Sequence, residues 1–416
     1  MIGDACNTKI LRISNYLTFN GNKVTKAFVQ PITRDGNQSE VNKRGICAGG
    51  ASRRAFKLIT TEIVLQPTSF CNLNCHYCYL PDKDRSHRMD PEITRRVCDH
   101  IRKAEEPTLV LWHCGEPLST GVPHFRSLLE PFEDDLIRSK TRHLVQTNAT
   151  LIDEAWCELF KQYNFQLGVS IDGPANLNTR RLTRAGHETH SKALMGIELL
   201  RRNGLKFSVI AVVGKESLKS AKELYLFVRD LGAEMLCINI EETEGINRSQ
   251  VITADEARGF WKALYNSWEA DMGISIREFS KLFNSMDRIV KTDYELDGSY
   301  RTIEMIPTIS TRGDVVVLSP EFLGMEKQSQ SFVVGNVLAR SLEQILKSAT
   351  DYWYVRDYAT GIERCRKECQ YFVFCGGGYA SNKYFENGEV SSTETHFCRN
   401  KDKALVEAVL EVMEHE

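Results

Sequence analysis

The sequence predicts an α/β protein in which a parallel sheet is wrapped by helices and followed by a smaller cysteine-rich region. Three observations carry this. Short apolar or β-branched runs alternate with longer amphipathic segments from residue 61 to about 280. The alternation then stops and the segments shorten. Beyond that point Cys365, Cys369, Cys375 and Cys398 fall close together.

Residues 1–60 are polar, with pieces such as GICAGGASRRAF and no sustained periodicity, and read as an N-terminal arm. The strand candidates follow in order: TEIVLQ (61–66), TLVLW (108–112), HLVQT (143–147), QLGVS (166–170), FSVIAVV (207–213) and MLCINI (235–240). Between and after them lie the helix candidates Pro91–Lys103, Asp153–Tyr163, His190–Asn203, Ser217–Leu231 and Ala254–Ala270. Six βα repeats fit either a doubly wound sheet or a (β/α) barrel closed fully or in part. The first βα turn holds neither GxGxxG nor GxxxxGK[ST], which removes the main support for dinucleotide or P-loop binding. In both architectures the active residues belong just after the strand C-termini. Past residue 280, IPTISTRGDVVVLSP (306–320) reads as a hairpin around Arg312-Gly313, and Lys401–His415 as a closing helix. The expected units are the arm 1–60, a core 61–280, and a bridging and cysteine-rich region 281–416.

Lys+Arg 53 against Asp+Glu 55 leaves a net charge of −2, which argues against nucleic-acid binding. No run approaches the ~20 apolar residues of a membrane span. The first twenty residues carry Asp4, Lys9 and Arg12 and no signal-peptide core. The expected location is therefore cytoplasmic. There the 13 cysteines stay reduced, and clustered thiols point to metal binding or catalysis rather than disulfides.

The loop after the first strand reads FCNLNCHYCYL, placing Cys71, Cys75 and Cys78 at Cys-x3-Cys-x2-Cys spacing. Three thiolates on one loop can hold three irons of a [4Fe–4S] cluster and leave the fourth open for chemistry. A structural zinc would want a fourth tetrahedral ligand, and the nearest candidate, His76, sits inside the pattern. Cys365, Cys369, Cys375 and Cys398 suit a fully ligated cluster or a zinc ribbon. Gly376-Gly377-Gly378 would let backbone N–H groups approach cluster sulfurs. Cys98, Cys114, Cys157 and Cys237 read as packing thiols.

The three-cysteine loop, with Tyr77 before its last Cys, resembles the signature of the radical S-adenosylmethionine (SAM) enzymes. Further signatures follow at successive strand ends. HCGEP is similar to the family's GGEP, with Gly115 and Glu116 matching and Cys114 in place of the first Gly. QTNAT brings Asn148, VSIDGP brings Ser170 and Asp172, and Arg181 follows. The resemblance implies a partial (β/α)6 TIM-type barrel of the radical SAM kind. It also implies SAM contacts from Tyr77, Gly115, Glu116, Asn148, Ser170, Asp172 and Arg181, Glu116 reading the amino group and Arg181 the carboxylate. An acid, an Arg fork and small residues are what such a ligand requires. The second cysteine group resembles a C-terminal SPASM-like Fe–S domain. Two positions depart from the fuller SPASM pattern, Leu318 and Tyr379, so ligands for one of that family's two auxiliary clusters are missing. Two [4Fe–4S] clusters are expected, one SAM-binding and one auxiliary. Cys6 and Cys47 could complete another site only within the arm.

INIEETEGINRS (238–249), IREF (276–279), GDVVVLSPEFLG (313–324) and CGGGYASNKYFENG…TETHFC (375–398) resemble the cyclophane-forming peptide maturases of the GrrM/OscB kind. That resemblance implies a ribosomal precursor peptide, leader plus core, as substrate. It implies an aromatic ring carbon joined to a β-carbon through a 5′-deoxyadenosyl radical, and an electron donor such as flavodoxin or ferredoxin. Glu241, Glu242 and Glu244 are the candidates for the base, in an acidic loop that could equally be solvated. A sulfatase-maturase-type enzyme forming formylglycine is the second enzyme reading. A non-catalytic metal-stabilised binding protein is the reading from another class.

Overall fold

A computed structural model describes residues 10–14, 28–32, 56–248, 250–291, 302–327 and 330–415. Seven parallel strands run through its centre: β1 (Glu62–Leu65), β2 (Thr108–Trp112), β3 (Thr141–Thr147), β4 (Gln166–Ser170), β5 (Ser208–Val213), β6 (Met235–Ile240) and β7 (Ser275–Ile276). Each pairs with the next in chain order. Beyond β1 lies β8 (Thr308–Ile309), parallel to it, then β9 (Asp314–Val316) and β10 (Gly335–Asn336), each antiparallel to its neighbour. The ten strands form one open sheet in the order β7-β6-β5-β4-β3-β2-β1-β8-β9-β10. This is the expected α/β partial barrel, extended by a short seventh strand whose two residues were too few to register as a period. The hairpin around Arg312-Gly313 is formed by β8 and β9, with Gly313 N–H donating to Ser310 O at 3.0 Å.

The helices follow the strands: α1 (Pro91–Lys103), α2 (Val122–Leu129), α3 (Asp135–Lys140), α4 (Glu154–Gln162), α5 (His190–Arg202), α6 (Ala221–Asp230), α7 (Ala254–Glu269) and α8 (Arg277–Lys291). Their starts are written locally. Asp90 accepts from Glu92 N at 2.8 Å with Pro91 in the first turn, Asp153 accepts from Trp156 N, and Thr253 with Glu256 closes a capping box before α7. α1 buries Ile93, Val97 and Ile101 at helical spacing and ends on His100, Arg102 and Lys103, which suit the negative end of its dipole. On β2 and β5 alternate residues are buried, Val110 and Trp112 on one and Val209, Ala211 and Val213 on the other. Trp112 packs on Phe125 with ring centroids 4.8 Å apart, and Phe125 on Trp156 at 5.3 Å. Burial of a ring that size contributes about 4–6 kcal/mol as an upper bound.

The later region contains α9 (Leu342–Lys347), α10 (Trp353–Glu368), α11 (Phe372–Cys375), α12 (Ala380–Asn387), a π-helical turn at Cys398–Lys403, and α13 (Ala404–His415). The last predicted helix therefore begins later, after that wider turn. Trp261 of α7 donates to Asn400 O at 2.8 Å, and Lys262 pairs with Glu411 at 2.7 Å, fastening this end of the chain to the sheet's helical layer. Within the N-terminal arm, Ile10–Ser14 and Phe28–Ile32 pair as an antiparallel hairpin. Cys6 and Cys47 lie outside the described residues. Among the described residues no helix is long and apolar enough to cross a membrane.

Candidate active site

The loops after β1 to β6 meet along one edge of the sheet. The first, carrying Cys71, Cys75 and Cys78, is held by its backbone. Cys71 N–H donates to Lys83 O at 3.1 Å and Cys78 N–H to Cys75 O at 3.2 Å. Asn74 N–H donates to Leu182 O and His76 N–H to Arg180 O, while Leu73 bridges Thr183, so the loop is fastened to the segment after β4. All three thiols are free, and Leu73 N–H points at Cys71 Sγ from 3.4 Å. Burial pushes the Cys71 thiol up to about 12, with Glu116, Cys75 and Cys78 adding to the rise. Among the described residues, no three His, Cys, Asp or Glu side chains close on a point as ligands of a single metal ion would.

Behind the loop, Tyr77 O–H donates to Asp172 Oδ2 at 2.5 Å and accepts from Arg181 Nη1 at 2.6 Å. Arg181 itself stands 3.6 Å from Asp172 Oδ1, which also accepts from Val212 N at 3.0 Å. Asp172 and Arg181 are buried. Burial pushes the Asp172 carboxyl up, against the pull of Arg181 and the tyrosine hydroxyl. Ser170 accepts from Gln146 Nε2 at 2.7 Å at the end of β4.

Glu116 is 2% exposed and fully engaged. Its Oε1 accepts from Thr147 Oγ1 at 2.7 Å and Leu118 N at 3.1 Å, and its Oε2 from Asn148 N at 2.8 Å. Asn148 Nδ2 in turn reaches Asn72 Oδ1 at 2.9 Å, tying the third strand's end to the cysteine loop. Gly115 has φ +138°, and a Cβ there would collide with the carbonyl oxygen of Thr68. The site thus requires that glycine on two grounds. Cys114, where the family pattern has another glycine, keeps the left-handed backbone at φ 66° and is buried beside Tyr79. Burial raises its thiol, which suits packing and not nucleophilic attack.

Of the three candidate bases, Glu241 stands apart from the neighbouring pair Glu242 and Glu244. Glu241 is gripped by Arg180, Nη2 donating to Oε1 at 2.7 Å and Nη1 to Oε2 at 2.5 Å. Glu242 accepts from Asn382 of α12, and burial pushes its carboxyl up to about 8. Glu244 is buried, and desolvation together with Glu242 and Glu321 holds its carboxyl well above the usual range. This acidic loop touches the cysteine loop, since Ile246 N–H donates to Tyr79 O at 3.1 Å. Sequence reasoning missed Glu321, which completes the acidic cluster, and Tyr79. Only the hairpin assignment before Glu321 hinted that a residue so distant would come to this edge. The two-point grip of Arg180 on Glu241 has no local signal.

In the second cysteine group, Cys369, Cys375 and Cys398 act on one another electrostatically. Cys365 lies in α10 and Cys369 caps it, Cys375 ends α11, and Cys398 opens the π-helical turn. All four are free. Burial pushes Cys375 up to about 12, with Cys398 and Cys369 among the groups that raise it. Gly376, Gly377 and Gly378 take φ of 66°, 109° and 76°, a run of left-handed backbone that other residues resist. Tyr379 is capped by Lys401, whose Nζ lies 5.0 Å from its ring centroid, and Leu318 is buried. Of the two positions that depart from the fuller SPASM pattern, Leu318 is thus packed while Tyr379 stays 43% exposed, and neither offers a thiol.

The profile of the radical SAM superfamily matches residues 65–228, which hold the cysteine loop and the sites after β2, β3 and β4. An uncharacterised protein of Synechocystis is 35% identical over 373 residues, covering 85% of this chain and 92% of that one. A serine-type anaerobic sulfatase-maturating enzyme of Bacteroides thetaiotaomicron is 23% identical, covering 81% of this chain and 86% of its own. Among solved structures, anSMEcpe with bound AdoMet and Cp18Cys peptide superposes with a TM-score of 0.70 at 21% identity, covering 86% of this chain and 98% of that chain. Streptococcus suis SuiB bound to precursor peptide SuiA does so with 0.62 at 18%, covering 82% and 76%. Together with the loop geometry, these matches establish that the chain belongs to the radical SAM superfamily.

Proposed function

We propose that this enzyme crosslinks side chains of a ribosomal precursor peptide, joining an aromatic ring carbon to the β-carbon of a nearby residue. The observation that carries this reading is the carboxyl pair Glu242 and Glu244, beside the cysteine loop and raised toward neutral pH. Bond formation to an aromatic ring ends with loss of one electron, which the auxiliary cluster would accept, and of one proton from the ring carbon. A carboxyl held near the working pH is suited to take it. Glu241 serves instead as a tether for Arg180.

The residues present fit the cofactors. Cys71, Cys75 and Cys78 would hold one [4Fe–4S] cluster and leave an iron for SAM. Cys365, Cys369, Cys375 and Cys398 would hold the auxiliary cluster, in a region spanning 281–416 beside a core at 61–280. When bound, SAM and its cluster supply a 5′-deoxyadenosyl radical, able to take a hydrogen atom from an unactivated carbon. The protein supplies position and exclusion of water. Glu116, raised by burial and pulled back by three hydrogen bonds, would face the cationic amine. Arg181, held by Tyr77 and Asp172, offers its fork to a carboxylate. Gly115, Asn148 and Ser170 complete the SAM contacts at the strand ends. A flavodoxin or ferredoxin would deliver the electron that starts each turnover.

The test is anoxic reconstitution with iron, sulfide and SAM, followed by reaction with the peptide encoded beside this gene. Crosslinking removes two hydrogens per bond, and fragmentation places the new bond on an aromatic ring. SAM cleavage with an unmodified peptide would refute the substrate class. Formylglycine formation remains the second reading, favoured by the likeness to sulfatase-maturating enzymes. A product captured by a hydrazide probe, which reacts with aldehydes and not with ring crosslinks, would establish it instead.

A further inference from the structure

We infer that Lys383 sets the reduction potential of the auxiliary cluster through a hydrogen bond to the sulfur of Cys365; this rests on reading Cys365 as a cluster ligand. Lys383 lies on α12 and is 1% exposed, an unusual place for an ammonium. Its Nζ stands 3.3 Å from Cys365 Sγ and also donates to Ser392 O. Among the described residues no carboxylate pairs with it. A buried ammonium without an anionic partner is costly. An iron-bound thiolate removes that cost, because coordination strips the thiol proton and leaves negative charge on the sulfur. The carbonyl of Ser392 fixes the ammonium from a second direction, so the charge is held at the sulfur and does not swing to solvent.

Reduction adds negative charge to a cluster, and a fixed positive charge beside one sulfur stabilises the reduced form more than the oxidised one. Hydrogen bonds to sulfur and local charge are among the terms that set such potentials. Cys365 is the member of its group that carries this contact, so Lys383 is a positioning residue acting through one ligand. At the first cysteine group the contact to Cys71 Sγ comes instead from the backbone N–H of Leu73.

The test is a redox titration of the anoxically reconstituted holoenzyme, followed by electron paramagnetic resonance, with iron counted per chain. Lys383→Met and Lys383→Gln remove the charge, and Lys383→Arg keeps it. The neutral variants are expected to retain ~8 irons per chain. Their auxiliary cluster should be at least tenfold harder to reduce, a fall of about 59 mV for a one-electron couple, while the SAM-binding cluster is unmoved. Lys383→Arg should stay within about threefold of the wild type, less than half that fall on the same scale. A neutral variant that keeps its iron at an unchanged potential overturns the inference. Loss of the auxiliary irons from both neutral variants also overturns it, because the side chain would then hold the cluster and not tune it. A wild type with only ~4 irons and no second signal would instead sink the ligand assignment beneath it.

Discussion

Replacing Tyr77 by Phe deletes one hydroxyl that serves two charged groups. In the structure that hydroxyl donates to Asp172 Oδ2 at 2.5 Å and accepts from Arg181 Nη1 at 2.6 Å. The side chains of Arg181 and Asp172 are 10% and 3% exposed, so water offers little replacement. A hydrogen bond to a charged group contributes about 1.5–3 kcal/mol, which places the loss of both at about 3–6 kcal/mol. Arg181 already stands 3.6 Å from Asp172 Oδ1, and a small shift lets it pair directly. That recovery brings the expected loss to about 2–3 kcal/mol. The measurement is urea unfolding of the cluster-free protein, read as a lower midpoint at unchanged slope. A cycle with Asp172→Asn should return a coupling of at least ~1 kcal/mol. A well-folded Tyr77→Phe protein that loses under ~0.5 kcal/mol would refute the buried triad, and with it the preorganised Arg181.

Three further outcomes follow from other parts of the site. Cys398→Ala should lower iron from ~8 to ~4 per chain, and ~12 in the wild type would refute the two-cluster count. Glu242 has a folded-state pKa raised from 4.5 to about 8, so the folded protein holds that proton more tightly than the unfolded chain. Its contribution is full below pH ~4.5 and is lost as pH rises through ~8, to the extent of about 2–4 kcal/mol. Burial holds His113 and His143 neutral, at about 4 and about 3, and they act in the opposite sense below pH ~6.5. The difference between wild type and Glu242→Gln, followed by urea unfolding from pH 5 to 9, therefore separates the Glu242–Glu244 pair from the histidines. Equal pH slopes in the two proteins would dismiss the raised carboxyl. At Cys114 the usual order should invert, Cys114→Gly being more stable than Cys114→Ala by about 1 kcal/mol, because only glycine is relaxed at φ 66°. Urea midpoints in the ordinary order would show that the turn relaxes.

The parts of the site legible in the sequence are those written locally. The cysteine loop, Glu116 after β2, Asn148 after β3 and Asp172 after β4 each sit within a few residues of a strand end, and strand ends follow from periodicity. Cys365, Cys369 and Cys375 are likewise close in the chain. What the sequence concealed is long-range and polar. Nothing local distinguishes Glu241, whose oxygens Arg180 occupies, from Glu242, which meets α12 some 140 positions later. Nothing local marks Lys383, whose burial and contact with Cys365 of α10 appear only in the fold. The two-residue strands β7 and β10 are also silent, as is the pairing of β8 with β1, because such pairings are decided by neighbours and not by propensity.

Those silent strands bear on chemistry. β8 pairs with β1 through Thr308↔Val64 and Ile309↔Leu65, so the later region continues the sheet that carries the cysteine loop. The same region supplies Asn382 to Glu242 and Glu321 to the acidic cluster. A carboxyl at the end of β6 therefore owes its raised pKa partly to residues beyond position 310. The surroundings of the proposed base and the cysteines of the proposed auxiliary cluster are contributed by one stretch of chain. Shifting α12 would disturb Glu242 through Asn382 and Cys365 through Lys383 at once. The proposed base and the proposed cluster ligand Cys365 thus both rest against one eight-residue helix.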